Sequence, residues 1–303
     1  MLHNNPNAFC ANPLDRVGVR RKDADWLADQ AKDPKARLLV LYKGEPLLEQ
    51  EPTRAVIQWL TLDALSALPM DRETVLLGLW DGEPIYATDV SSADDAPLTD
   101  IGTYLPVRTA AAFLPPTELS VVAQAVWLLD WHRRNRYCAK NGDFTEAAEG
   151  GFKRINPRTG VEHFPRTDPV AIVLPYHEGS VCLGRGPHFP QGFMSAFAGY
   201  LEPGETLEQC GERELFEEVG LRAQTMDYHF SQPWPFPSSL MMGFTAQVEE
   251  KELTLDPDEI EEAAWFTRAE LVDIINGDHD IMCPPPFAIA HQLMKRWLEQ
   301  TGG

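Results

Sequence analysis

Apolar and polar positions divide the chain into short-period and helical stretches. Near its start, ARLLVLYKGEPLLE from residue 36 and TVLLGLWDGEPIYATDV from residue 74 each read as a strand, a Gly-containing turn and a second strand. They predict an antiparallel sheet. Residues 114–135, LPPTELSVVAQAVWLLDWHRRN, carry apolar residues at helical spacing behind a Pro-Pro-Thr start, and the basic end suits the helix dipole. This helix is expected to close an N-terminal α+β domain, 1–135. Residues 136–166 are rich in Gly, Asn, Lys and Arg and show little periodicity, so they read as a connector. A second domain is expected over 167–303. There PVAIVLPYHEGSVCLGRG gives two strands around a polar turn, and SAFAGYLEPGETLEQCGERELFEEVGL gives a strand, a Gly/Pro loop and a helix. Further strands follow at MDYHFSQPW and SLMMGFTAQV. An acidic segment, LTLDPDEIEEAAWFTRAELVDII, then leads through Pro284, Pro285 and Pro286 into a final helix over 287–300. Mixed strands with a central and a terminal helix predict an α/β sandwich.

Charge narrows the possible partners. The formal net charge of −20 repels polyanions unless a local basic patch or a bound cation compensates, so bulk affinity for nucleic acid is not expected. No run of about 18 apolar residues occurs and the first residues lack a signal-peptide core, so no membrane association is expected. Five scattered cysteines, an odd number, do not form a disulfide framework, and a reducing cytoplasm fits them best.

The helix in the second domain carries the chemistry. Thr206 and Gln209 form a capping-box pattern and Gly220 stands where a left-handed turn would stop the helix, which is expected over 207–219. Glu214, Glu217 and Glu218 fall at i, i+3 and i+4, so three carboxylates are expected on one face. Like charges so spaced each cost roughly 0.2–0.5 kcal/mol, and only Arg213 is close enough in sequence to offset them. A bound cation converts that repulsion into coordination, and oxygen-only ligands favour Mg²⁺ or Mn²⁺.

The surrounding spacing is Gly199, Glu205, Arg213-Glu214-Leu215, Glu217-Glu218 and Gly220-Leu221, nine specified positions over 23 residues. It resembles the complete Nudix box. The resemblance implies that Glu214 and Glu218 ligate metal, that Glu217 is a further ligand or the base, and that Arg213 orients Glu205. It also implies that Ala198 offers its backbone carbonyl to a metal. The segment SQPWPFPSSLM, 231–241, is rigid and non-helical because three prolines remove backbone donors. It resembles the SQPWPFPxS signature of the NADH pyrophosphatase branch of that family. By that resemblance Gln232, Pro233, Trp234, Pro235, Phe236, Pro237, Ser238 and Ser239 contact a dinucleotide, Glu259 supplies another metal ligand, and Ala290 contacts substrate. In similar enzymes two aromatics sandwich the nicotinamide, and the matching positions are Tyr200 and Phe164. Those enzymes are commonly homodimers.

The resemblance weakens before about residue 110 and breaks in the connector. Much of the family has a four-cysteine zinc ribbon there, but only Cys138 remains, with Asn141, Asn156 and Thr159 at the other positions. A structural zinc site needs about four Cys or His ligands, so no zinc is expected. The resemblance thus implies an NAD⁺ diphosphatase that converts NADH or NAD⁺ to nicotinamide mononucleotide and AMP with divalent metal. Three rival readings stay open: preference for ADP-ribose, FAD or diadenosine polyphosphates; removal of 5′ NAD caps from RNA; or a non-catalytic NAD sensor.

Overall fold

The first repeat folds as β1 (Arg37–Tyr42) and β2 (Glu45–Gln50). Short strands β3 (Ala55–Ile57) and β4 (Leu60–Thr61) follow, the second repeat gives β5 (Thr74–Trp80) and β6 (Glu83–Asp89), and β7 (Thr103–Tyr104) lies beyond it. Both repeats are hairpins because Lys43-Gly44 and Asp81-Gly82 take the positive φ that two-residue turns require, 52° and 80° in the first and 52° and 86° in the second. These elements come from a computed structural model describing residues 5–51 and 54–300. By contacts it divides into two units, one formed by 9–166 with 234–238, the other by the remaining residues.

In the N-terminal unit the strand order is β3-β2-β1-β6-β5, with β4 on β1 and β7 on β2. The sheet is mixed rather than antiparallel, since β1 and β6 run parallel. Period-2 patterning reports each hairpin but not how two hairpins meet. Gly78 sits at a register shift beside Asp15, whose backbone pairs with Leu79, and a Cβ there would fall 2.4 Å from the Asp15 carbonyl oxygen. Helices α1 (Ala24–Gln30), α2 (Val107–Ala110) and α3 (Pro116–Arg134) complete this part. α3 occupies the predicted stretch and buries Leu119, Val122 and Leu129.

Residues 136–166 are more ordered than their composition predicts. They contain the antiparallel strands β8 (Glu146–Ala148), β9 (Lys153–Ile155) and β10 (Glu162–His163). At the ribbon positions the backbone turns at Cys138, whose carbonyl accepts from Gly142 N–H at 2.8 Å. Asn156 ties the loops together: its Nδ2 donates to Asn141 Oδ1 and Asp143 Oδ2, both at 3.1 Å, and its Oδ1 accepts from the backbone of Arg158 and Thr159.

The C-terminal unit comprises β11 (Asp168–His177), β12 (Ser180–Arg185), β13 (Phe197–Tyr200), α4 (Leu207–Val219), β14 (Ala223–Trp234), β15 (Ser239–Val248), β16 (Glu262–Thr267), α5 (Arg268–Asn276) and α6 (Ile289–Gln300). Its sheet runs β14-β15-β11-β12-β16, with β13 on β11. Alternation along β11 sorts the core into two layers. Ala171 and Val173 pack with Leu215 and Val219 of α4, whereas Ile172 and Leu174 pack with Leu271 of α5 and Leu293 and Trp297 of α6. The result is the expected α/β/α sandwich. The acidic segment contributes two elements that its charge concealed, β16 and α5, and α5 starts at a capping box of Thr267 and Glu270. Among the described residues no helix is long and apolar enough to cross a membrane.

Candidate active site

α4 spans the predicted residues because its ends carry their own stops. Thr206 Oγ1 accepts from Gln209 N–H, the Gln209 side chain accepts from Thr206 N–H, and Gly220 closes the helix at φ 75°. The chain then returns to the same helix end. Thr254 N–H donates to Val219 O at 3.0 Å and Asp256 N–H to Glu218 O at 3.1 Å. This return satisfies terminal helix carbonyls that would otherwise lack partners. It also delivers Glu259, three residues beyond Asp256, to the carboxylates of α4.

Glu214, Glu218 and Glu259 each offer an oxygen within 4.8 Å of the others. Glu217 is not in this group. At 3.6 residues per turn Glu218 lies about 40° from Glu214 around the helix, while Glu217 lies about 60° to the other side. The Glu217 carboxylate is instead half-exposed and accepts from Arg213 Nη1 at 3.0 Å. Of the expected ligands, the structure brings oxygens of Glu214, Glu218 and Glu259 together, and it does not bring Glu217 into that group.

Electrostatics mark Glu218. Its side chain is 8% exposed and Oε2 is buried with no hydrogen-bond partner. Burial, followed by the charges of Glu214 and Glu259, pushes its carboxyl up to about 8. Glu214 is also raised, first by burial, against the pull of Arg213. The Glu214 carboxylate occupies the space that a side chain at residue 199 would take: a Cβ there would lie 1.8 Å from the Glu214 carboxyl carbon, so any larger residue would displace the carboxylate from this position. A buried orphan oxygen among three converging carboxylates fits a hard divalent cation and is costly without one.

Arg213 organises the near side. Nε and Nη2 donate to the two oxygens of Glu205 at 2.6 and 3.0 Å, Nη1 donates to Glu214 at 2.8 Å, and Nη2 also donates to the Tyr200 carbonyl at 3.0 Å. The guanidinium holds the Glu205 carboxyl down at about 2, assisted by Glu202 N–H. One side chain thereby ties the loop before α4, the helix and the end of β13. Ala198 is exposed on β13, and the Tyr200 ring beside it is 58% exposed with its hydroxyl 3.3 Å from Ser239 Oγ.

The 231–239 residues have unequal surroundings. Gln232 is fully buried, and its Nε2 donates to the carbonyls of Ala8 (3.1 Å) and Phe287 (2.7 Å) while its Oε1 accepts from Ile289 N–H (2.9 Å). These bonds make it a strut rather than a side chain open to ligand. Pro233 and Ser238 are half-buried, Pro235 and Ser239 buried, and Pro237 exposed. Trp234 and Phe236 form an edge-to-face pair 5.1 Å apart, and both lie edge-on to Phe9, which sequence reasoning did not single out. The Phe164 ring is exposed in the N-terminal unit. The Ala290 side chain is buried in the core between β11 and α6, leaving only its backbone, in the first turn of α6, for a ligand.

Two family models match the chain: a NUDIX domain over residues 165–282 and an NADH pyrophosphatase-like rudimentary NUDIX domain over residues 35–131. The NAD-capped RNA hydrolase NUDT12 of Homo sapiens is 32% identical over 338 residues, an alignment covering 96% of this chain and 73% of the relative. The NAD-capped RNA hydrolase NudC of Chromobacterium violaceum is 35% identical over 219 residues, covering 72% and 78% respectively. The mitochondrial NAD(P)H pyrophosphatase NUDT13 of Homo sapiens is 36% identical over 213 residues, covering 66% and 60%.

Proposed function

We infer from this site, in a chain that belongs to the Nudix hydrolase family and to its NADH pyrophosphatase branch, that the protein hydrolyses the diphosphate bridge of NADH and NAD⁺. The products are nicotinamide mononucleotide and AMP. The observation that carries the reading is the convergence of Glu214, Glu218 and Glu259 around an orphaned buried oxygen. Glu214, Glu218 and Glu259, with the Ala198 carbonyl as a further donor, would hold Mg²⁺ or Mn²⁺, which would supply the charge that polarises phosphoryl oxygens and acidifies water. Glu217, at the edge of the group, takes or orients the proton of the attacking water. Arg213 and Glu205 keep Glu214, Glu217 and the Tyr200 backbone in register. Tyr200 and Phe164 offer exposed ring faces for stacking, worth roughly 0.5–1.5 kcal/mol per aromatic pair beyond burial. The 233–239 segment supplies the remaining contacts, with Gln232 holding its base and the Ala290 amide in reach of a ligand. A homodimer without bound zinc, divided at 1–135, 136–166 and 167–303 and working in the cytoplasm, completes the reading.

The names of the relatives favour a second substrate with the same bond, the 5′ NAD cap of an RNA. A single assay orders the candidates: AMP release from NADH, NAD⁺, ADP-ribose and FAD, and cap removal from a short NAD-capped RNA, each with Mg²⁺ or Mn²⁺. The highest kcat/KM is expected for NADH. ADP-ribose or FAD turning over faster than every nicotinamide substrate would sink the assignment. Hydrolysis in ¹⁸O-labelled water is expected to place the label in one product, AMP. Comparable label in both products contradicts a substrate held in one orientation.

A further inference from the structure

The chain as a whole repels polyanions, with 46 acidic residues against 26 basic ones, but one short segment of the N-terminal unit has the opposite charge. Residues 16–22, Arg-Val-Gly-Val-Arg-Arg-Lys, hold four cations and no acidic residue. They are drawn into a turn. Val17 is buried, its carbonyl accepts from the N–H groups of Arg20 and Arg21 at 3.0 and 3.2 Å, and Arg20–Lys22 form a 3₁₀ turn that leads into α1. Arg16, Arg20 and Lys22 are exposed, and Arg21 is half-buried with its guanidinium carbon 3.5 Å from the Phe152 ring centroid.

The acids around this turn are engaged elsewhere. Asp15 Oδ1 accepts from Val17 N–H at 2.9 Å, Asp23 Oδ1 accepts from Trp26 N–H at 3.0 Å, and Glu149 pairs with Lys153 at 2.6 Å. Among the described residues no carboxylate pairs with any of the four cations. Other arginines of the same unit are matched: Arg133 and Arg134 share Asp130, and Arg136 pairs with Asp71. Arg20 also lies over the Trp26 ring, 5.7 Å from its centroid, and Val19 beside it is 89% exposed. Like charges crowded into one turn repel, and a row of anions turns that repulsion into attraction. Single-stranded RNA presents such a row, with bases that can lie on aromatic and apolar groups between the phosphate contacts.

We propose that residues 16–22 form a docking surface for the phosphate backbone of single-stranded RNA. The inference rests on the second reading above, in which the bond to be cut lies in a 5′ NAD cap: the glutamate cluster acts on the cap, and the turn holds phosphates of the RNA that follows it. Contacts of this kind carry no sequence preference and weaken steeply with salt. A free dinucleotide has no phosphates beyond its diphosphate, so the turn favours capped RNA over NADH without taking part in the cleavage.

Fluorescence anisotropy of the full chain with a labelled RNA of about 20 nucleotides and a 5′ hydroxyl, which has no diphosphate to cut, tests the surface apart from the cap. The RNA is expected to bind in Mg²⁺. The triple variant Arg16→Gln/Arg20→Gln/Lys22→Gln should weaken it at least tenfold and flatten the slope of log Kd against log salt by about 2, at roughly 0.7 per single-strand phosphate contact. That variant should keep NADH turnover within twofold and the melting temperature unchanged. Lys32→Gln/Lys35→Gln, which removes cations already paired with Asp29 and Glu83, should change RNA binding less than twofold. Binding that depends on the three cations supports the surface even if no capped RNA is cut, a result that refutes the cap reading alone. Absence of RNA binding, binding indifferent to the triple variant or equally reduced by the control pair, or tighter binding of a poly-glutamate peptide of equal charge overturns the proposal.

Discussion

Arg154 in the N-terminal unit and Glu218 in the C-terminal unit are both buried ionisable groups, but their surroundings differ. Arg154 has partners for most of its donors: Nε donates to Thr145 Oγ1 at 2.8 Å, Nη1 to His132 Nδ1 at 2.9 Å and to Glu73 Oε1, and Nη2 to the Thr145 carbonyl at 2.5 Å. Because arginine only donates, His132 Nδ1 accepts, so the ring carries its proton on Nε2, which donates to Gly151 O at 2.7 Å. Glu218 has an unmatched oxygen and two carboxylates beside it. A satisfied buried network serves the architecture, whereas an unsatisfied one of like charges is stable only with something added. The contrast separates a structural use of charge from a chemical one within the same chain.

The most severe test removes Arg154. Arg154→Ala leaves Glu73 and His132 without their buried partner and is expected to cost about 3–5 kcal/mol, read as earlier unfolding in urea. Unchanged urea resistance would refute the structural role. Glu218→Gln should do the reverse, lowering kcat at least about a hundredfold, roughly 2.7 kcal/mol of barrier, with no loss of metal-free thermal stability. Near-normal turnover in that variant means the helix face is misassigned.

A smaller and opposite pair of effects follows from pH. Glu218 is raised from 4.5 to about 8, so its contribution to stability is complete below 4.5 and disappears as pH rises through 8. His132 is lowered from 6.5, chiefly by burial, so its contribution is complete above 6.5 and declines as pH falls. In metal-free protein, hydrogen exchange around α4 should therefore quicken from pH 5 to 8, after correction for intrinsic exchange, while exchange around α3 slows. Parallel pH trends in the two helices would break the comparison. The smallest expected effect concerns metal content: elemental analysis should find no stoichiometric zinc, since hydrogen bonds from Asn156 join the loops at Asn141, Asp143, Arg158 and Thr159. One tightly held zinc per chain would show other ligands there.

Local signals in the chain were sufficient for much of what depends on near neighbours, though charge concealed β16 and α5. The capping residues Thr206, Gln209 and Gly220 determined where α4 begins and ends, and alternation along β11 determined which residues face each layer of the sandwich, because both rest on backbone periodicity within a few residues. The nine-position box named the glutamates. Tertiary structure decided what lies far apart in sequence: the parallel meeting of β1 and β6, the sorting of Trp234–Ser238 into the unit of 9–166, and the burial of Gln232 on the carbonyls of Ala8 and Phe287. It also decided that Glu217 turns to Arg213 while Glu259 completes the acidic group. A spacing of three or four residues places side chains on one side of a helix, but which of them converge depends on the elements packed against it. In α4 that choice was made by the missing side chain of Gly199 and by a return loop bound to the helix's last carbonyls.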